Sequence, residues 1–145
     1  MTQPTPISPL MRKLSAYLST ALNRPLPAHV AERAKIHLVD TFASMISGSR
    51  QLPGKRAIQF VKPLGGTPEA GILGTRIVTT TLNAALANGM SCHADETDDT
   101  HPPSRTHPGS SVTPAALALA EKHQLPGEQL LRAMVLGYDI CARTL

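Results

Sequence analysis

Apolar residues recur at helical spacing along most of this chain, and no stretch alternates with the period of two that a half-buried strand requires. The clearest case is "PAHVAERAKIHLVDTFASMISGS". There Val30, Ala34, Leu38, Phe42, Met45 and Ile46 fall on one stripe, with Pro27 just ahead of the start and Gly48 as a stop signal. An earlier, shorter helix is expected from Leu10, with Leu14, Tyr17, Leu18 and Leu22 on one side, until "NRPLP" ends it. "GKRAIQFVKPLGG" predicts another, ending at Pro63–Gly66, and Gly71–Leu73 reads as a tight extended connector between glycines. "TTTLNAALANGMSCHA" resumes the helical pattern, capped by Thr79 or Thr80, with Leu82, Ala85, Leu86 and Met90 expected to face inward. A further helix is expected from Val112–Pro114 to His123. The last starts at Pro126 and carries Leu130, Leu131, Met134, Val135, Tyr138 and Cys141 or Ala142 on its stripe.

Composition sharpens the fold. The chain is 41% hydrophobic yet only 3% aromatic, and Trp is absent. Its core must therefore be built from Ala, Leu, Val, Ile and Met, which favours helices packed closely through small residues such as Ala84, Ala85 and Ala87. The expectation is an all-α helical bundle over residues 10–145, preceded by a flexible segment at 1–9. Leu145 falls in mid-helix, so the bundle is expected to continue on another chain or simply to fray there.

The charge pattern narrows the function. The net charge is +4 with pI near 9.4, but the basic residues are scattered and no aromatics accompany them, which argues against a nucleic-acid interface. A mild positive field suits a small anionic substrate, and equally an ordinary solvated surface. No signal peptide is evident and no apolar run approaches membrane-spanning length, so a cytoplasmic protein is expected. Cys92 and Cys141 read as free thiols in a reducing compartment, too few for a four-cysteine cluster.

Against this background "HADETDDTHPPSRTHPG", His93 to Gly109, stands out, with three histidines, four acids and three threonines in seventeen residues. Three readings are open. Its carboxylates and imidazoles are possible metal ligands, as in a small metal-dependent hydrolase, although the spacing is neither H-E-x-x-H nor a calcium loop. They also suit metal-free acid–base chemistry, since imidazole exchanges protons near neutral pH and crowded carboxylates shift one another's pKa. Finally, Asp and Thr beside a proline-rich turn cap helix ends, and Asp98 and Asp99 fit that structural role, as in a non-catalytic helical assembly subunit or remnant.

The stretch "LNAALANGMSCHADETDDTHPPSRTHPGSSVTPAALALAE", Leu82 to Glu121, resembles the signature of the MmgE/PrpD family, approximately A-N-G-x-x-x-H-x-x-D-x-D-D-T-H followed by H-P-G and P-A-A-L-A-L-A-E. "VAERAKIHLVDTFASMISGS", "GILGT" and "LLRAMVLGYDICARTL" are similar to flanking parts of the same family, so the resemblance runs from about Leu10 to the end. That family includes 2-methylcitrate dehydratase, cis-aconitate decarboxylase and iminodisuccinate epimerase. The resemblance implies a large helical domain, of which this chain is the first part, a smaller α+β lid, and usually a homodimer. It further implies a cofactor-free and metal-free lyase or isomerase acting on small di- or tricarboxylates, with a second polypeptide supplying the family's later active-site residues. Carried over by motif, Glu96 and His107 become catalytic, Thr100 and His93 contact substrate, and Asp98, Asp99 and His101 support them. Glu96 stands where most members have Asp, and Asp95 stands where an apolar residue is frequent. The extra methylene of Glu96 displaces its carboxylate, and Asp95 adds negative charge near an anionic substrate.

Overall fold

The structure is a computed structural model that describes residues 7–144. Six α-helices make up most of the described chain: α1 (Pro9–Ala21), α2 (Ala28–Gly48), α3 (Leu52–Val61), α4 (Thr81–Cys92), α5 (Pro108–Lys122) and α6 (Gly127–Arg143). The all-α expectation holds. Most of the segment expected to be flexible, residues 1–6, lies outside the described residues, as does Leu145.

The helix ends follow local chemistry. Ser8 and Thr80 cap α1 and α4 by accepting the backbone N–H of Met11 and Asn83. A 3₁₀ turn, Lys62–Leu64, extends α3 to its glycines. The connector beyond it contains what the sequence pattern did not show, a minimal antiparallel ladder of β1 (Ala70–Gly71) and β2 (Val78–Thr79). Two residues per strand are too few to leave an alternating signature. Buried Asn88 of α4 clamps this connector, donating to the carbonyl of Gly71 at 3.0 Å and accepting from the N–H of Leu73 at 2.9 Å. The clamp sets Ile72 into a core with Ala57, Val61, Ala84, Ala87 and Ala118.

Helix α4 occupies the middle, packed by α2, α3 and α5. Its buried face is Ala84, Ala87, Asn88, Ser91 and Cys92, small or polar residues throughout. The helical pattern of the sequence predicts Leu82, Leu86 and Met90 inward. They lie outward instead, 78%, 43% and 45% exposed. The physical reason is proximity: a Cβ at Gly48 of α2 would stand only 1.8 Å from the carbonyl oxygen of Ser91. Backbones that close admit no leucine between them, so the small face takes the centre.

Helix α5 also departs from expectation. It starts at Pro108, not near Val112–Pro114, and Pro114 lies inside it, fully buried. Pro108 suits the first turn because the missing N–H is not needed there. Pro114 leaves the carbonyl of Ser110 without its helical donor, and that carbonyl faces Gly89 of α4. Helix α6 behaves as predicted, burying Leu130 and Met134, whereas α1 buries nothing fully and is tied to α6 through the Tyr17 hydroxyl, which donates to Asp139 at 2.7 Å.

Candidate functional site

The charged stretch forms the loop from α4 to α5, and its acids have separate tasks. Asp98 is buried, with a side chain 0% exposed, between two imidazoles. His93 Nδ1 lies 3.1 Å from both carboxylate oxygens, and His107 Nδ1 lies 3.4 Å from Oδ1. The two rings meet edge to face with centroids 4.9 Å apart. Thr100 Oγ1 approaches His107 Nδ1 at 3.5 Å. His93 and His107 remain 47% and 33% exposed, so each ring has one edge on the buried acid and another toward solvent. A buried carboxylate needs such partners, because its desolvation is otherwise unopposed.

Asp99 ties the start of α5 to α2. It accepts the Gly109 N–H at 2.9 Å and lies 3.3 Å from His37 Nδ1. The Tyr138 hydroxyl of α6 is buried in the same place without a hydrogen-bond partner. Burial first, and then neighbouring Asp99, pushes its pKa up. A Cβ at Gly109 would sit 2.5 Å from Asp99 Oδ1 and 3.0 Å from both the Thr41 and Tyr138 hydroxyl oxygens. The glycine of His-Pro-Gly is therefore a close-approach position, and the proline ahead of it begins the helix.

Asp95 points its charge elsewhere than the sequence reading expected. Its carboxylate accepts from the Gln51 side-chain amide at 2.6 Å, the Thr97 hydroxyl at 2.7 Å and Ser47 at 3.4 Å, which anchors the loop to the α2–α3 junction. The Thr97 hydroxyl is the main reason its pKa is held below the ordinary range. His101 is likewise turned inward on its own loop, with Nδ1 2.7 Å from Ser104 Oγ and its backbone N–H donating to Thr106 at 2.8 Å. Glu96 stands apart. It is exposed, makes no polar contact with the imidazoles, and has a left-handed backbone with φ of 56°. Of the sequence-derived site residues, then, the loop gathers His93, Asp98, Thr100 and His107; it places Asp99 behind them and leaves Glu96 and His101 outside. Cys92, just before the loop, is buried, and that burial pushes its thiol up to about 12.

His37, which lies off the apolar stripe of α2 and so reads as a surface or supporting group, is a neighbour of the site, whereas Thr41 and Tyr138 were missed. The usable signal was weak: His37 and Thr41 are spaced i, i+4 on α2, off the apolar stripe yet turned toward α5.

Residues 12–145 match the MmgE/PrpD N-terminal domain. The chain belongs to the MmgE/PrpD family. A curated relative in sequence is the cis-aconitate decarboxylase-like protein oryM of Aspergillus oryzae, 27% identical over 146 residues. The match covers 96% of this chain and 30% of that protein, so the MmgE/PrpD chain described here spans under a third of its relative's length. No solved structure matches it. Among the described residues no helix is long and apolar enough to cross a membrane.

Proposed function

We propose that this chain is a component of a cofactor-free lyase or isomerase that moves protons on small di- or tricarboxylates. The observation that carries the reading is the buried Asp98 carboxylate facing the Nδ1 atoms of His93 and His107. A carboxylate on Nδ1 fixes ring orientation and tautomer and leaves Nε2 as the working nitrogen. In this reading His107 Nε2 removes a proton from a carbon flanked by carboxylates, and Asp98 stabilises the imidazolium that forms. The second imidazole then supplies a proton, to the departing hydroxyl in a dehydration or to the opposite face in an epimerisation; a decarboxylation removes no carbon-bound proton, and there the loss of CO₂ leaves a carbanion that an imidazolium protonates. Thr100 orients a substrate carboxylate. The decarboxylase-like name of the Aspergillus oryzae relative is compatible with this class.

The rest of the family's fold completes the site in this reading, on a second polypeptide, another copy or further chain. The outward stripe of Leu82, Leu86 and Met90 supports that view, because it is an apolar ridge that ends beside the loop. The added part supplies the cations that offset substrate charge. The test is turnover of cis-aconitate and 2-methylcitrate by the chain alone and by the completed fold. Activity is expected only in the completed form, falling about 100-fold or more in His107→Gln. A completed form that processes neither compound, or an equally active His107→Gln, refutes the reading and favours a non-catalytic assembly subunit.

One observation favours a second reading. His93, Asp98 and His107 offer ligand atoms all within 4.8 Å of one another, a spacing a divalent cation could bridge, as in a small metal-dependent hydrolase. Elemental analysis of the purified protein, with activity measured before and after chelation, separates the two.

A further inference from the structure

A cavity of about 450 Å³ opens between α2 and α6, on the far side of His37 from the loop. Its apolar lining is Ala34 and Val30 of α2 with Met134 and Val135 of α6, and Ala34 and Met134 are buried. Its polar lining is unusual in sign. His29, Arg33 and His37 lie one turn apart along α2, and no acidic side chain joins them. Among the described residues neither Arg33 nor His29 has a carboxylate within ion-pair distance. His37 has one nitrogen on Asp99, 3.3 Å away. Its other nitrogen has no partner among the described residues, and its ring tilts against that of Tyr138, the remaining wall.

We propose that this α2–α6 cavity is a binding site for a small organic monocarboxylate with a short apolar tail, its carboxylate on Arg33 and the imidazoles and its tail on Met134 and Val135. Three considerations select that ligand class. The volume is that of a small-molecule pocket. A guanidinium matches a carboxylate with two parallel hydrogen bonds, and the absence of acids leaves that charge uncompensated. The basic groups all lie along α2 while Met134 and Val135 form an apolar wall on α6, which suits one carboxylate with a hydrocarbon tail, unlike the polycarboxylates proposed for the loop site. The inference uses none of the His93, Asp98 and His107 chemistry and stands whatever that site does. Because His37 joins the cavity to Asp99, and Asp99 holds Gly109, occupancy is expected to be felt at the start of α5.

Hexanoate is the probe, titrated into the ¹⁵N-labelled chain and followed by amide chemical shifts and calorimetry. Saturable shifts are expected at Val30, Arg33, Met134 and Val135, with smaller ones at Gly109. Arg33→Gln should weaken binding roughly tenfold or more. Arg33 is exposed, so its replacement leaves the helix intact. Val135→Phe, which fills the cavity and spares every charge, should abolish binding. Neutral hexanamide should bind at least roughly tenfold more weakly than hexanoate by the same lost charge. The proposal is overturned by any of three results: no saturable shifts, hexanamide binding as tightly as hexanoate, or binding untouched by both variants. It is equally overturned if the completed fold excludes hexanoate, because the cavity is then a socket for protein side chains.

Discussion

Gly109→Ala is expected to be the most damaging single-methyl addition in the candidate site. The new Cβ would lie 2.5 Å from Asp99 Oδ1, where ordinary contact begins near 3.4 Å. The carboxylate must therefore retreat by about 0.9 Å, yet it is held at 2.9 Å by the Gly109 N–H and at 3.3 Å by His37. Turning the methyl away does not help, because the Thr41 and Tyr138 oxygens stand 3.0 Å off on other sides. Overpacking of this kind costs about 1–3 kcal/mol. A charge-assisted hydrogen bond lost with it costs roughly 1.5–3 kcal/mol more. The better helix propensity of alanine returns at most about 1 kcal/mol, and less than that in a first turn. The net loss is about 1.5–6 kcal/mol.

Urea unfolding followed by circular dichroism measures it directly. With a slope of roughly 2 kcal/mol/M, the midpoint should fall by on the order of 1–3 M while the slope stays unchanged. Gly127→Ala is the internal control, since a Cβ there meets nothing within 4 Å. It should change stability by less than about 0.5 kcal/mol. The clash also has a specific partner, so Gly109→Ala combined with Asp99→Ala should cost clearly less than the two single changes added together. A Gly109→Ala protein as stable as Gly127→Ala, or a double variant that is simply additive, refutes the close-approach explanation of the His-Pro-Gly glycine.

Other perturbations read the remaining groups. Asp98→Asn should lower stability by about 1–3 kcal/mol, because it removes a charged acceptor serving two imidazoles, and imidazole ¹⁵N spectra should show the Nδ1–H tautomers of His93 and His107 losing population. Asp95 has a depressed folded pKa, so the stability it contributes is present above the ordinary carboxylate value of 3.8 and is lost as pH falls below it. Asp95→Asn should accordingly be less stable than the parent at pH 7 in denaturant titrations, with the gap closing below pH 3.8. Tyr138 and Cys92 have raised pKa values, so each favours the folded state below its ordinary value, 10.0 and 9.0, and that contribution is lost as pH rises past it. Tyr138→Phe and Cys92→Ala should therefore make alkaline unfolding begin at higher pH, as followed by circular dichroism. Tyr138→Phe should change stability at pH 7 by no more than about 1 kcal/mol, since the hydroxyl removed has no hydrogen bond.

Periodicity made the helices legible because each must bury a face, and α2 and α6 span the segments their stripes mark, although on α2 the stripe fully buries only Ala34 and Met45 and leaves Ile46 exposed. It failed on which face of α4 is buried. Leu82, Leu86 and Met90 form the more hydrophobic stripe, but helix position is decided by how closely backbones approach, and Gly48 against Ser91 settles that in favour of the small face. The same logic moved the start of α5. Pro114 looked like a first-turn proline, whereas the real start is Pro108, stabilised by an Asp99 carboxylate ten residues from Gly109 that no local pattern reveals. For the candidate site, the motif marks a loop in which four of its residues, His93, Asp98, Thr100 and His107, meet. It could not separate the roles of adjacent acids, because one residue of sequence turns a side chain to a different neighbour.

That separation explains why so many acids can share a short loop. Asp95 discharges its negative charge onto Gln51, Thr97 and Ser47; Asp99 onto Gly109 and His37; Asp98 onto His93 and His107. Only Glu96 of the four remains unpaired and exposed. The loop is thus far less hostile to an anion than its composition suggests, since the groups it turns to solvent beside Asp98 are imidazole edges and a threonine hydroxyl. An anionic substrate entering there would meet proton donors first, with the buried carboxylate one bond network behind them. Its own charge would still need cations, and among the described residues Arg105 is the one basic side chain of this loop, exposed on a left-handed turn with φ of 54°. The rest of the family's fold is the natural place for the others in the proposed reading, in which activity is expected only once the fold is complete.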